Sequence, residues 1–399
     1  MKPIQDAYIV AALRTPVGKA PRGLFCRTRP DDLLAHVLKG VMGACPELDP
    51  NAIEDVILGC AMPEAEQGMN VARIGLLLAG LPDKVPGMTV NRFCASGLQS
   101  VALAADRIRL GEADVLIAGG TESMSAVPMM GNKVAMNPAL FEREENVAIA
   151  FGMGITAEKV ASQWAVTREA QDAFALESHR RAIAAIECGE FRTEILPYTI
   201  REYHPAADGQ TVALQMREVD TDEGPRRDTS TEALAKLKPA FAARGSVTAG
   251  NSSQMSDGAA AVLLMSERML SRLNVKPLAR FLGYAVVGVP PAIMGIGPKE
   301  AIPRVLRQVG LQLQDIDWIE LNEAFAAQSL AVIQDLGLDR EKVNPLGGAI
   351  ALGHPLGATG SIRTATIVHG LRRRGLRYGM VTMCVGTGMG AAGLFEAVQ

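Results

Sequence analysis

The chain has 399 residues, enough to bury a large core arranged as two or three domains or as one duplicated unit. Lys plus Arg number 40 against 43 Asp plus Glu, and the formal charge of −3 supplies no general attraction for nucleic acid or anionic lipid. Six widely spaced cysteines, Cys26, Cys45, Cys60, Cys94, Cys188 and Cys384, form no CxxC pair and no neighbouring His pair, so neither a zinc knuckle nor a disulfide framework is indicated and free thiols imply a reducing compartment.

The amino-terminal stretch carries Gln5, Asp6 and Arg14 around a short apolar run and lacks a secretory leader pattern. No apolar run reaches the roughly 18 residues of a membrane span. VARIGLLLAGL (71–81), for example, is closed by Pro82. FEAVQ at the other end is not a peroxisomal address, so a cytoplasmic protein is expected.

Strand-like apolar runs alternate with helix-period stretches, the pattern of an α/β sheet covered on both faces. DAYIVAALRT (6–15) and DVILGCAM (55–62) read as early strands. After Cys94, the positions Leu98, Val101, Ala102, Ala105 and Ile108 fall on one helical face, which places Cys94 at a helix amino terminus. DVLIAGG (114–120) follows as a buried strand ending in glycines. From 122 to 248 the chain becomes rich in Met, Pro and charge, with one long helix-period run over 157–186 and breaks at Pro197, Pro205, Gly209, Gly224 and Pro225. This segment reads as an inserted domain. His36, His179 and His369 lie in helix-like stretches and His204 in a loop, and the five methionines from Met124 to Met153 read as core.

TAGNSSQMSDGAAAVLLM (248–265) returns to the Gly-Ala-rich character of the core, so 1–121 plus 249–273 forms a first half and 274–399 a second. Residues 343–388 repeat the order of parts in 90–122: Val-Asn, a Gly-rich turn, a helix, a basic break, and a strand followed by glycines. Two similar halves related by duplication are therefore expected, with equivalent helices meeting near a pseudo-twofold axis.

Four residues sit among Gly, Ala and Ser, the types that let backbone and substrate approach closely. Cys94 in VNRFCASG reads either as a small buried hydrophobe or as a nucleophile whose pKa falls at a helix amino terminus. His354 in GHPLGATG is followed by Pro355, which fixes the backbone and holds an imidazole for proton transfer. Asn322 in NEAFAAQ serves as a turn cap or holds a water, and Cys384 in CVGTGMGAAG serves as an acid or base. The run Gly388-Met-Gly390-Ala-Ala-Gly393 matches a nucleotide fingerprint in form, but the chain continues for only six residues, without the required helix and distant acid. Its glycines instead free N–H groups beside Cys384 for an oxyanion. Arg226 and Arg227 in DEGPRRDTS bind phosphates or form a solvated face.

VNRFCASG, NEAFAAQ, GHPLGATG and CVGTGMG, in this order over essentially the whole chain, closely resemble the thiolases, the family of 3-ketoacyl-CoA thiolases and acetyl-CoA acetyltransferases. DEGPRRDTS and TAGNSSQMSDGAA add two further matches. The resemblance implies duplicated α/β halves packed as a layered α-β-α-β-α core with an inserted loop domain. It also implies thiolytic cleavage of a 3-ketoacyl-CoA by coenzyme A through an acyl-cysteine. Cys94 then matches the nucleophile and Cys384 the general acid/base. His354 activates Cys94 and, with a water on Asn322, forms one oxyanion hole; the N–H groups of Cys94 and Gly386 form the other, and Glu323 supports them. Met153 matches a substrate-loop position, while Arg226, Phe241, Ala249, Ser253 and Phe325 match positions that hold coenzyme A, the co-substrate; no permanent cofactor is implied.

Members specific for acetoacetyl-CoA often place His before the Met-Gly pair, where this chain has Phe151-Gly152, which favours a longer or broader acyl range. Members are homodimers or tetramers of dimers, and some join a partner bearing hydratase and dehydrogenase activities. The competing readings are condensation of two acetyl-CoA and, from another class, a thiolase-like lipid-binding protein without catalysis. A ketoacyl synthase would use His or Asn where this chain has Cys384.

Overall fold

A computed structural model describes residues 4–205 and 211–398; Gly209 lies outside them. The first half runs through β1 (Ala7–Arg14), β2 (Gly18–Lys19), α1 (Pro30–Gly43), β3 (Asp55–Gly59), α2 (Val71–Leu78), β4 (Gly87–Val90), α3 (Ser96–Arg109) and β5 (Val115–Ser123). The middle segment carries α4 (Glu144–Val147), α5 (Met153–Gln163), α6 (Arg168–Glu187), the hairpin β6 (Tyr198–Pro205) and β7 (Val212–Val219), and α7 (Thr231–Ala235). The chain returns through β8 (Ser256–Ser266) and α8 (Glu267–Leu273). The rest consists of β9 (Ala279–Gly288), α9 (Gly297–Val309), β10 (Trp318–Leu321), α10 (Ala326–Leu336), α11 (Ala349–Leu352), α12 (Leu356–Arg374), β11 (Tyr378–Val385) and β12 (Met389–Ala397).

The duplication is visible in the strand order β10-β11-β12-β9-β1-β8-β5-β3-β4. In the first half, β1 runs antiparallel to β8, β8 antiparallel to β5, and β5 and β4 flank β3 in parallel. In the second half, β9 pairs antiparallel with β12, β12 antiparallel with β11, and β11 parallel with β10. A one-residue parallel bridge, Ile319 with Val343, stands where β4 would be. The halves join through their first strands, β1 and β9, with Tyr8 opposite Arg280.

The period-two alternation of strand side chains sets the layers. Val56, Leu58 and Ile117 face outward onto Leu33, Leu34 and Val37 of α1 and Leu76 of α2. Their neighbours Ile57, Leu116 and Ala118 face inward onto α3 and α12 through Leu98, Val101, Ile367 and Val368, together with Val381 and Met383 of β11. On the far side, Met380 and Leu394 pack under α9 and α10 through Ile302, Val305 and Val332. Strands β5 and β8 are buried along their whole length, as strands covered on both faces must be. The central helices α3 and α12 approach closely because Gly97 lacks a side chain: a Cβ there would lie 2.7 Å from Ser361 Oγ, which donates a 2.9 Å hydrogen bond to Gly97 O. Among the described residues no helix is long and apolar enough to cross a membrane.

Three expectations change. The helix-period run 157–186 is two helices, because Ala165 adopts φ +52° and Thr167 caps α6 by accepting from Ala170 N at 3.2 Å. Periodicity continues across such a break, so only the cap marks it. His204 lies in β6 and not in a loop. Of the five methionines, Met124 is buried, Met136 and Met153 are half-buried, and Met129 and Met130 are exposed, so the stretch is largely surface.

Candidate active site

β4 leaves the sheet through Asn91 and Arg92 and turns at Phe93, whose φ of +43° is left-handed and strained for a bulky residue. Asn91 Oδ1 accepts from Phe93 N at 2.8 Å, and Ser96 Oγ both accepts from Arg92 N and donates to Phe93 O. This turn presents Cys94 in a short 3-10 segment, Phe93–Ala95, directly before α3. The thiol is buried among Ala61, Met124 and Leu356. Burial pushes its pKa up to about 11, against the pull of the N–H groups of Gly386 and of Cys94 itself. The helix position therefore does not yield the depressed pKa expected, since desolvation outweighs those N–H groups. A base must take the proton.

Cys384 lies near the end of β11 and is fully buried. Its thiol is also pushed up, first by burial and then by the adjacent Cys94 sulfur. Residues Gly386 to Gly388 make the turn into β12, with Thr387 at φ +64° and Gly388 at φ +91°. The turn brings Gly386 N–H onto Cys94, and Met153 Sδ lies 3.7 Å from where a Gly386 Cβ would stand.

His354 is buried at the entrance to α12. Its Nδ1 lies 2.6 Å from Thr359 Oγ1, and Thr359 spends its hydroxyl proton on Pro355 O at 2.9 Å. Nδ1 must therefore carry the proton, which leaves Nε2 as the lone-pair nitrogen. Asn322 Nδ2 donates to Nε2 at 3.3 Å. Burial and then the Arg363 charge pull the imidazole pKa down to about 3. Asn322 also donates its N–H to Thr382 O, two residues before Cys384, and its buried Oδ1 has no partner among the described residues, as suits a water ligand. Leu356, two residues beyond His354, packs on Cys94 and closes the set.

Beside Glu323, which the sequence already marked as a support, the structure adds Thr359, Ser256, Gln254 and Glu122, which the sequence reading did not single out. Thr359 lies in the GATG run one helical turn beyond Pro355, and that spacing is the sequence signal for its role. Ser256 Oγ and Gln254 O both accept from His354 N, at 3.0 and 3.3 Å. Glu323 accepts from Ser178 Oγ (2.7 Å), Asn344 Nδ2 (2.9 Å) and Ile350 N (3.2 Å), which fixes the chain that leads to His354. Glu122 accepts from Ala61 N at 2.7 Å and Gly357 N at 2.8 Å, tying the two halves at the site.

The positions expected to hold coenzyme A fall into two groups. Phe325 packs with Met153 in the cluster that contains Cys384 and meets Phe241 edge-on at 5.9 Å. Ser253 donates its N–H to Ala324 O at 2.9 Å, and Ala249 is exposed in the turn before it. Arg226 stands apart from the aromatic pair: its N–H donates to His179 Nδ1 and its guanidinium faces Asp228 at 3.4 Å in solvent. Arg227 pairs with Glu187.

Two buried thiols, a neutral imidazole whose Nε2 lone pair meets only an amide, and converging backbone N–H groups are the equipment of an acyl-transfer site. Residues 7–268 match the thiolase N-terminal domain and residues 275–397 the thiolase C-terminal domain, and the chain belongs to the thiolase family. It is 52% identical over 398 residues (98% of this chain, 100% of the relative) to a protein of Bacillus subtilis (strain 168) named 3-ketoacyl-CoA thiolase. It is 48% identical over 392 residues (98% and 88%) to the peroxisomal 3-ketoacyl-CoA thiolase A of Rattus norvegicus. Among solved structures it resembles the acetyl-CoA acetyltransferase of Bacillus anthracis (TM-score 0.88, 41% identity, 100% of both chains). It also resembles human mitochondrial 3-ketoacyl-CoA thiolase (TM-score 0.88, 39% identity, 99% of both chains).

Proposed function

We propose that the chain cleaves a 3-ketoacyl-CoA with coenzyme A, releasing acetyl-CoA and a shortened acyl-CoA, the thiolytic step of fatty acid β-oxidation. The observation that carries this reading is the meeting of Cys94 and Cys384, remote in sequence, at one buried point. With the thiol high and the imidazole low, both are neutral at rest, so His354 Nε2 takes the Cys94 proton as sulfur attacks the keto carbon. The bond between C2 and C3 breaks, and the acetyl-CoA enolate takes a proton from Cys384. Cys384 then removes the proton of a second CoA thiol, whose sulfur takes the acyl group, and the departing Cys94 sulfur takes back its proton from His354.

The N–H groups of Cys94 and Gly386 converge on the sulfur and so serve the oxygen on the carbon bonded to it. Protonated Nε2 and a water on Asn322 serve the enolate oxygen. Each donor contributes about 2.7–4 kcal/mol to lowering the barrier. Met153, Phe325, Phe241, Ser253 and Ala249 form the binding side for coenzyme A, with Arg226 reaching its phosphates, and residues 122–248 act as the inserted binding domain. Coenzyme A is a substrate here, not a resident cofactor.

A cytoplasmic homodimer or homotetramer completes the reading. All six cysteines are free. Strand β4 ends the sheet, and Met88, Leu77 and Leu78 beside it are exposed, a margin suited to a second copy. The test is mass spectrometry after mixing with substrate, together with kinetics across an acyl-CoA ladder. An acyl adduct on Cys94 and turnover of longer 3-ketoacyl-CoA are expected. Lack of an adduct would favour a binding protein, and strict preference for acetoacetyl-CoA would favour the short-chain acetyltransferase.

A further inference from the structure

Behind the Nδ1 side of His354 lies a small cavity lined by Leu352, Gly353, Thr359, Arg363, Arg14 and Asp222. Arg363 follows Thr359 by one turn of α12, so the two side chains share a helix face. It is 3% exposed. Its ion pair with Glu320 is long, Nη1 to Oε2 at 3.5 Å. Arg14, the other cation on the wall, is neutralised by Glu194 at 2.6 Å and Asp222 at 2.7 Å. Arg363 is thus the cation of this cavity that lacks close compensation.

We propose, on the reading of His354 as the base for Cys94, that Arg363 is a positioning residue: its buried guanidinium beside Thr359 disfavours the imidazolium and keeps Nε2 an unprotonated acceptor. Among the described residues no carboxylate opposes it at the ring, because Nδ1 meets a hydroxyl and Nε2 an amide. The acids of the packed elements are engaged elsewhere. Asp222 and Glu194 hold Arg14, Glu323 holds Ser178, Asn344 and Ile350, and Glu122 holds Ala61 and Gly357. Asp257 on β8 accepts from Ser123 at 3.1 Å and Ser125 at 2.9 Å. Glu320 accepts from Trp318 Nε1 at 2.7 Å, and burial raises it to about 7, so its negative charge fades as the pH falls. The thiols Cys94 and Cys384 are neutral near pH 7, both pushed up by burial.

The experiment is a pH titration of 15N-histidine-labelled full-length protein by NMR, with the His354 signal assigned by its loss in His354→Gln. Cys94 acylation rates are measured over the same pH range. Arg363→Met is expected to move the His354 transition up by about one pH unit or more, and the acid limb of acylation with it. Arg363→Lys, which keeps the charge, is expected to restore the parental behaviour. A folded Arg363→Met protein with the parental His354 titration overturns the proposal. Where that variant does not fold, Arg363→Gln gives the same comparison, with the same two outcomes. A parent inactive on 3-ketoacyl-CoA defeats the functional reading instead, and the NMR titration still decides this one.

Discussion

Thr359→Val isolates the hydrogen bond that sets the tautomer of His354. The change is close to isosteric, and Pro355 O keeps its partners because Ala358 N and Thr359 N both donate to it at 2.9 Å. The loss therefore falls on the 2.6 Å contact to Nδ1, whose N–H is left buried without an acceptor. Such a group costs about 1–3 kcal/mol. If that free energy is lost from the catalytic arrangement, kcat/KM falls about 5- to 150-fold, since each ~1.4 kcal/mol is a factor of ten. If it is lost from folding, Tm falls instead. Following disappearance of a 3-ketoacyl-CoA, beside the thermal midpoint, separates the two. The expected result is a large fall in kcat/KM for Thr359→Val, with substantial recovery in Thr359→Ser. Parental kcat/KM in a Thr359→Val protein would refute the tautomer argument.

Cys384→Ser should lower turnover by about 10²- to 10⁴-fold, the usual contribution of a positioned acid or base, while an acyl adduct on Cys94 remains detectable by mass spectrometry. Phe241→Ala removes an edge-on aromatic contact worth about 0.5–1.5 kcal/mol. Initial-rate kinetics should show KM for coenzyme A rising several-fold with kcat little changed. His179, buried and brought down to about 4 mainly by burial, accepts from Arg226 N at 3.1 Å. It is neutral in the folded protein, so its contribution to stability is present above about pH 6.5 and is lost as the pH falls towards 4, by about 3 kcal/mol at most. His179→Gln should flatten the parental fall of Tm with acidification, and an identical pH profile in the two proteins would count against this assignment.

The candidate site residues could be picked out in the chain because residue type and local spacing are local properties. Cys94 before an apolar helical face, His354 held by Pro355, and the repeated order of Val-Asn, glycine turn, helix and strand all lie within short windows. So did the buried character of β5 and β8, written as continuous apolar runs. The end of α5 was not legible, because the hydrophobic period runs on past Ala165 and only a backbone twist interrupts it. Nor did composition distinguish the exposed Met129 and Met130 from the buried Met124, since burial depends on what else covers a side chain.

The protonation state of the site was decided by tertiary structure alone. A helix amino terminus by itself would lower the Cys94 pKa, yet packing by Ala61, Met124 and Leu356 raises it to about 11. The same enclosure, with Arg363, holds His354 neutral. Desolvation is a property of everything that surrounds a group, and here the surroundings arrive from segments hundreds of residues apart, joined through the pairing of β1 with β9 and the crossing of α3 with α12. Sequence supplied the candidate groups; the fold determined which of them holds the proton.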